Sequence, residues 1–446
     1  MMPMRARRRP SPQRRARARA AREGVGEVLE LRIGEPAHGG ACVARDASGR
    51  VVFVRHTLPG ERVRARVTSV RNTLAWADAI EILEASGDRV SAVWPQAGPS
   101  GVGGGELSHV APPAQRRWKE HVIAGQIRRV GGEALAEAVA AIGGVRVAPA
   151  PGDGEPGDRL AHRRNRIELV IGADGAPGMH VYRGKRVIPL DSMPLAAPAI
   201  AGLGLFDKDS PWRRVWAPGE RVRALSPTPG SAYVVCASGV YDAGARRISS
   251  RALAWPVGIG GEEYAYGVRP SGFWQTHVRG AQVLAEEVLG AARAETGGAV
   301  LELYSGAGLF TVPLARAVGE GGRLASLEGD EGAVADAADN LAPFPWAQTF
   351  IGGVDAEGVA ELAGGLGCPP DVVVADPPRA GAGGRVCEAM AALGAPRLVL
   401  VSCDPAAGAR DLRALTGAGY RVESLRAWDL FPHTHHVEMV AALTRA

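Results

Sequence analysis

From about residue 25 to residue 85 the hydrophobic positions come in short runs separated by turn residues, the pattern of small β-strands. Residues 51–54 (Val-Val-Phe-Val) form one run, Leu58-Pro59-Gly60 reads as a turn, and Arg62-Val63-Arg64-Ala65-Arg66-Val67 alternates strictly. A period of two places Val63, Ala65 and Val67 on one face and Arg62, Arg64 and Arg66 on the other. The segment is therefore expected to be a small β-barrel of the OB type with guanidinium groups along its outside. Such a row suits a phosphate backbone; an ordinary polar strand face reads the same way. Residues 95–105 are a glycine-rich loop, and a helical stretch follows over about 114–129. Between about 145 and 265 proline and glycine are frequent and the apolar runs short, as at 167–171 and 233–237, which predicts a mostly β central domain.

The pattern changes from about residue 272. Near-continuous apolar runs at 300–303, 324–327, 371–375, 398–401, 422–425 and 437–443 read as buried strands. Amphipathic stretches at 275–292, 309–318, 331–341 and 405–415 lie between them. Strand–helix alternation of this kind predicts an α/β fold with a parallel, doubly wound (Rossmann-like) sheet. The last two strands have no good helix between them and are expected to form an antiparallel edge hairpin, the ending of a class I methyltransferase sheet. The predicted organisation is a tail over 1–22, a barrel over 23–88, a central domain over 89–270 and the α/β domain over 271–446. No internal repeat is evident.

Composition refines this picture. The chain has 446 residues and a formal charge of +5. Nine arginines and no acid fall within residues 1–22, so the other 424 residues together carry −4. The tail is either a solvated cationic arm or a nucleic-acid-binding one. Basic clusters recur in the central region (Arg163, Arg164, Arg166; Arg183, Lys185, Arg186; Arg246, Arg247, Arg251), and together they favour a polyanion as partner. Only three lysines occur, which fits a genome-wide preference for arginine. No apolar run approaches the ~18 residues of a membrane span, and the basic N-terminus lacks the apolar core of a secretory signal. Five scattered cysteines without CxxC spacing point to a reducing, cytoplasmic setting.

In a doubly wound sheet the ligand binds beyond the carboxyl ends of the strands. Tyr304-Ser305-Gly306-Ala307-Gly308 follows the strand at 299–303, and its glycines let backbone approach a ligand. Glu328 ends the next strand, where a carboxylate can accept both ribose hydroxyls of a nucleoside cofactor; Glu328 and Asp330 could instead only cap the helix from residue 331. Asp376-Pro377-Pro378-Arg379 follows the fourth strand, its prolines stiffening the loop that carries Asp376. Val401-Ser402-Cys403-Asp404-Pro405 brings Cys403 to the same rim, where helix amides could lower a thiol pKa. Phe431-Pro432-His433-Thr434-His435-His436-Val437-Glu438 adds histidines and a carboxylate. Adjacent histidines without a second matching pair make a weak zinc pattern, so no metal is expected; a thiol near a carboxylate suits covalent catalysis with a separate base.

The segments SGFWQTH, LELYSGAGLFT, SLEGD, VVVADPPRAG, LVLVSCDPAAGARDL and DLFPHTHHVEMV, in order over 271–443, resemble the RNA 5-methyluridine (uracil-5-) methyltransferase family. The 25–85 stretch is similar to the TRAM domain, an RNA-binding barrel of many members. This resemblance implies S-adenosyl-L-methionine as cofactor, held by Gln275, Tyr304, Gly306, Glu328 and Asp376. It implies Cys403 as nucleophile, Glu438 as base and Phe273 as a stacking partner for a flipped uracil. RNA (ribosomal or transfer) is the implied partner of a monomer without membrane attachment. Three departures stand out. Trp94, Val102 and Gly105 occupy cysteine positions of the iron–sulfur site that many ribosomal RNA members carry, so no cluster is expected. His277 stands where asparagine is common, and Asp404 replaces the usual asparagine, adding charge beside the thiol. The alternatives are an RNA cytosine-5-methyltransferase, which would normally show Pro-Cys where DPPR stands, and a catalytically weak RNA-binding protein keeping the fold.

Overall fold

The computed structural model describes residues 24–155 and 157–446; the arginine-rich segment 1–22 lies outside the described residues. Two compact units divide between Ala111 and Pro112.

In the first unit, β1 (Val28–Arg32), β2 (Pro36–Ala37), β3 (Ala41–Arg45), β4 (Val51–Arg55), β5 (Arg62–Arg71) and β6 (Leu74–Glu84) form one sheet in the order β1-β5-β6-β4-β3-β2. The alternation in β5 behaves as the period of two requires: Val63, Ala65 and Val67 are fully buried with Val52, Val54, Ala75 and Ala77. The outward arginines are less available than the pattern suggests. Arg62 bonds Glu30 (2.7 Å) and Glu84 (2.9 Å), and Arg64 bonds Glu81 (3.0 Å), because neighbouring strands set glutamates beside them. The unit continues past residue 88 because buried Glu61 acts as an anchor. It accepts a bidentate pair from Arg89 (2.6 and 2.7 Å) and the amides of Leu58 and Ser86. The segment beyond then buries Trp94, Val102, Leu107 and Val110. Gly105 makes this packing possible: a Cβ there would lie 2.8 Å from a Trp94 ring carbon and 2.7 Å from the Ala97 Cβ.

The second unit is built on an eight-stranded sheet. Helix α1 (Pro112–Gln126), which passes into a π-helical turn at Ile127–Gly131, and helix α2 (Glu133–Ala141) precede β7 (Val147–Pro149). A seven-stranded antiparallel sheet follows, β8 (Arg166–Ile171), β9 (Pro177–His180), β10 (Val187–Pro189), β11 (Arg221–Leu225), β12 (Tyr233–Cys236), β13 (Gly239–Asp242) and β14 (Arg247–Ile248), then the hairpin β15 (Leu253–Ile259) and β16 (Glu262–Val268). The remaining elements alternate: α3 (Gly280–Ala292), β17 (Ala299–Leu303), α4 (Thr311–Val318), β18 (Arg323–Glu328), α5 (Glu331–Asn340), β19 (Ala347–Ile351), α6 (Ala356–Leu366), β20 (Val372–Ala375), α7 (Gly384–Ala392), β21 (Arg397–Ser402), α8 (Pro405–Gly417), β22 (Tyr420–Asp429) and β23 (Glu438–Arg445). The sheet order is β19-β18-β17-β20-β21-β23-β22-β7, parallel from β19 to β21, with β23 antiparallel to both of its neighbours. This is the class I methyltransferase sheet with its edge hairpin.

β7 extends that sheet, pairing parallel with β22 at Ala427–Val147, so residues well before 270 belong to its edge. Helix α3 starts at Gly280 rather than 275, because 271–279 runs as an irregular segment bonded to the chain before β8. The Asn165 amide donates to Thr276 O and the Val278 amide to Arg163 O, both at 2.9 Å. β19, α6 and α7 carried too weak a pattern to be read: β19 is an edge strand whose Phe350 and Ile351 stay exposed. Among the described residues no helix is long and apolar enough to cross a membrane.

Candidate active site

The carboxyl ends of β17, β18, β20 and β21 converge on one rim. The loop after β17 turns through left-handed backbone at Tyr304 (φ +63°), Gly306 (φ +55°) and Gly308 (φ +89°). A Cβ on Gly306 would meet nothing within 4 Å, so this position supplies conformation and open space rather than packing. Glu328 Oε2 accepts the Gly306 amide at 3.0 Å and Oε1 the Asp330 amide at 2.8 Å. Asp330 is the cap of α5, accepting the Ala333 amide at 2.8 Å. Capping thus falls to Asp330, and Glu328 braces the glycine loop with lone pairs left over. Tyr304 is half-buried with its hydroxyl 3.5 Å from Val354 O, and burial pushes its pKa up to about 12.

Cys403 and Glu438 meet through strand register. Ser402 of β21 pairs with Met439 of β23, so the next residue out on each strand is Cys403 on one and Glu438 on the other. Asp376 leaves the neighbouring β20, whose Ala375 pairs with Leu400. The group is rich in acids. Burial, then the charges of Glu438 and Asp376, push the Cys403 thiol up to about 12. Burial and Asp376 hold Glu438 well above the carboxylate range, and burial lifts Asp376 to about 7. Glu302, on β17, is pushed to about 8 by burial with help from Asp376 and Glu328, against the opposing pull of the Thr311 hydroxyl. Arg379 opposes the shift at both Cys403 and Glu438, joined at Cys403 by a backbone hydrogen bond to the thiol. Its guanidinium lies 3.5 Å from the His436 ring.

The two aromatic and amide candidates arrive on the 271–279 segment. Gln275 is nearly buried, packed so closely that a Cβ on Gly280 would stand 3.3 Å from its Cβ. Phe273 is 67% exposed, with the Arg166 guanidinium 5.8 Å from its ring centre. His277 is fully covered. Its Nδ1 accepts the Arg279 amide (3.1 Å), so Nε2 donates to Asp153 (3.1 Å), which also pairs with Arg163. The departure from asparagine is thereby matched by a local partner. Asp404 caps α8, its Oδ1 accepting the Ala406 and Ala407 amides at 3.0 and 2.9 Å. The charges that raise the thiol include those of Glu438 and Asp376, while Asp404 has Oδ1 engaged by the first amides of α8.

Two features had no clear signal in the sequence. A cleft of ≈ 380 Å³ opens beside the end of β18, lined by Leu327, Phe350, Ile351, Gly353, Asp355 and Gly358. Its only trace in the sequence is an apolar pair, Phe350-Ile351, that stays exposed at a strand end. The second is the anchoring of the 429–433 turn by α1, in which Lys119 pairs with Asp429 and Gln115 bonds His433. Residues more than 300 positions apart in sequence cannot announce such a contact. Among the described residues no cluster of three or more His, Cys, Asp or Glu side chains could hold a metal ion.

Residues 22–80 match the TRAM domain, and residues 369–446 match the family described as tRNA (Uracil-5-)-methyltransferase. An uncharacterized RNA methyltransferase of Streptomyces avermitilis is 40% identical over 95% of this chain and 99% of its own length. The 23S rRNA (uracil(1939)-C(5))-methyltransferase of Alkalilimnicola ehrlichii is 30% identical over 94% of this chain and 97% of its own. Among solved structures, the Pyrococcus abyssi tRNA (uracil-54, C5)-methyltransferase in complex with S-adenosyl-L-homocysteine covers 93% of this chain and 100% of its own at 20% identity, with a TM-score of 0.65. That likeness bears on the fold, while the full-length similarity of the curated relatives settles the family: the chain belongs to the RNA uracil-5-methyltransferases and is an enzyme of that class.

Proposed function

We propose that this enzyme methylates carbon-5 of a uridine in ribosomal or transfer RNA from S-adenosyl-L-methionine, through a covalent bond from Cys403 to carbon-6. The observation that carries the reading is the adjacency of Cys403 and Glu438 at the ends of paired strands. A thiolate adding to carbon-6 turns carbon-5, a poor nucleophile, into an enolate-like carbon. The cofactor, when bound, supplies a methyl group on a sulfonium. Glu438, as carboxylate, then takes the carbon-5 proton; the pair left behind restores the 5,6 double bond and expels Cys403 as thiolate. Reaching the base requires it to leave its stack, and exposed Phe273 is placed to stack on it.

The rim suits a cationic cofactor. Burial and then the charges of neighbouring acids raise the pKa values of Glu302 and Glu438, and a sulfonium beside them would offset that repulsion. In this reading Glu328 takes the ribose hydroxyls, the cleft at Phe350 and Ile351 the adenine, and Tyr304, Gly306, Gln275 and Asp376 the rest. The relative named for 23S rRNA favours ribosomal RNA among the substrates. The reading extends to a monomer acting in the cytoplasm, a setting that suits five free cysteines.

RNA containing 5-fluorouracil tests the mechanism, since fluorine on carbon-5 blocks proton removal. The wild type is expected to form an adduct stable to denaturation, and Cys403→Ala to form none. Trapping by Cys403→Ala would overturn the nucleophile assignment. Label from the cofactor appearing in 5-methylcytidine, or in no nucleoside, would overturn the reaction.

A further inference from the structure

The base Glu438 and the nucleophile Cys403 sit on different elements, and only one of them depends on a strained turn. Between β22 and β23 the chain reverses through His433, a non-glycine residue at φ +67°. Such backbone persists where its surroundings hold it. Here the holding comes from α1. Gln115, fully buried, accepts the His433 amide on Oε1 at 2.6 Å and places its Nε2 3.2 Å from His433 Nδ1. His433 Nε2 lies 2.9 Å from Arg159 O. A carbonyl can only accept, so Nε2 carries the proton and Nδ1 accepts from Gln115, which fixes a neutral tautomer. Four residues along α1, one helical turn, Lys119 pairs with Asp429 and donates to Phe431 O at 3.1 Å. Both ends of that pair are buried. The turn is thus bolted at 429, 431 and 433, five residues before Glu438.

Resting on the proposed function, we infer that Gln115 and Lys119 are positioning residues for the proton-abstraction step, holding Glu438 at carbon-5 while leaving Cys403 in place. Cys403 follows β21 and is set by the start of α8, which Asp404 caps. Loosening the 429–433 turn therefore moves the base and spares the nucleophile. Such a defect has a distinctive chemistry. The Cys403–carbon-6 bond still forms, and carbon-5 still takes the methyl group as its bond to the sulfonium sulfur breaks and leaves a neutral thioether, but the carbon-5 proton stays and the thiolate cannot leave. Ordinary uridine RNA then accumulates as a methylated covalent adduct.

The test uses full-length enzyme, total RNA from cells lacking it, and cofactor labelled in the methyl group. Label is read both in released 5-methyluridine and in protein–RNA adduct on denaturing gels. Gln115→Leu and Lys119→Met are each expected to slow release at least tenfold and to shift label into adduct, as Glu438→Gln should. Gln115→Leu removes its bonds to the His433 amide and ring without stranding a charge, so it keeps the test open if Lys119→Met fails to fold. Variants that are folded by circular dichroism but show the wild-type ratio of adduct to product would overturn the inference, as would parallel loss of both. Absence of 5-methyluridine from the wild type would overturn the functional reading itself.

Discussion

Cys403 is half-buried beside Glu438 and Asp376, and its thiol is pushed up to about 12. In the free enzyme it is therefore a neutral thiol at pH 7, unlike the exposed, activated cysteines found beside cations. Because a raised thiol pKa means that the thiolate fraction grows about tenfold per pH unit up to that pKa, carboxamidomethylation of Cys403 should climb from pH 7 to pH 10 without levelling. Asp376→Asn and Glu438→Gln each remove a charge that raises the thiol, so both should speed modification at a given pH. Asp404→Asn should leave the rate unchanged, since that carboxylate is held by the Ala406 and Ala407 amides. Peptide mass analysis separates Cys403 from the partly exposed Cys236 and Cys368; a plateau below pH 9 would contradict this account. Sequence position brought Cys403 and Glu438 to the same rim. Asp376 was legible there too, as the residue after a buried strand; Glu302 was not, because it lies inside β17 as one polar position in an apolar run.

At the scale of elements, the period of two in β5 and the apolar strands β17, β18, β20 and β21 were legible, since burial of one face or of both writes itself into the residue order. β19 and α6 were not, being short or interrupted by glycine. The 86–111 segment is the instructive case. Its substituted cysteine positions said only what it would not bind; the fold shows Trp94 packed against Gly105, with Val102 buried in the same segment. Gly105→Ala would force a Cβ to within 2.8 Å of the indole. It should destabilise that packing by about 1–3 kcal/mol, read as faster amide exchange over 86–111 with β17–β21 unaffected. Unchanged exchange would mean that the indole swings aside freely.

Across the whole molecule, the charge of +5 divides into nine arginines in 1–22 and a body at −4. The outer arginines of the barrel are further discounted, because Arg62 and Arg64 pair with Glu30, Glu84 and Glu81. RNA affinity should therefore show a salt dependence carried mainly by the tail and the central clusters. Deleting residues 1–22 is expected to flatten the slope of log K against log salt. Arg64→Ala should leave that slope nearly unchanged, whereas a loss as large as the tail's would show that the barrel row contacts phosphate directly. By itself the sequence determined the class of the sheet, the order of its strands along the chain and the rim motifs, because burial period and turn chemistry are local properties. Only the tertiary structure decided what those motifs face. It brings Gln115 and Lys119 to the turn before Glu438, sets Asp153 against His277, engages Asp404 with the amides of α8, and joins β7 to the sheet edge. Each of these is a contact between residues distant in the chain or a choice of side-chain direction, and neither leaves a periodic trace in the order of residues.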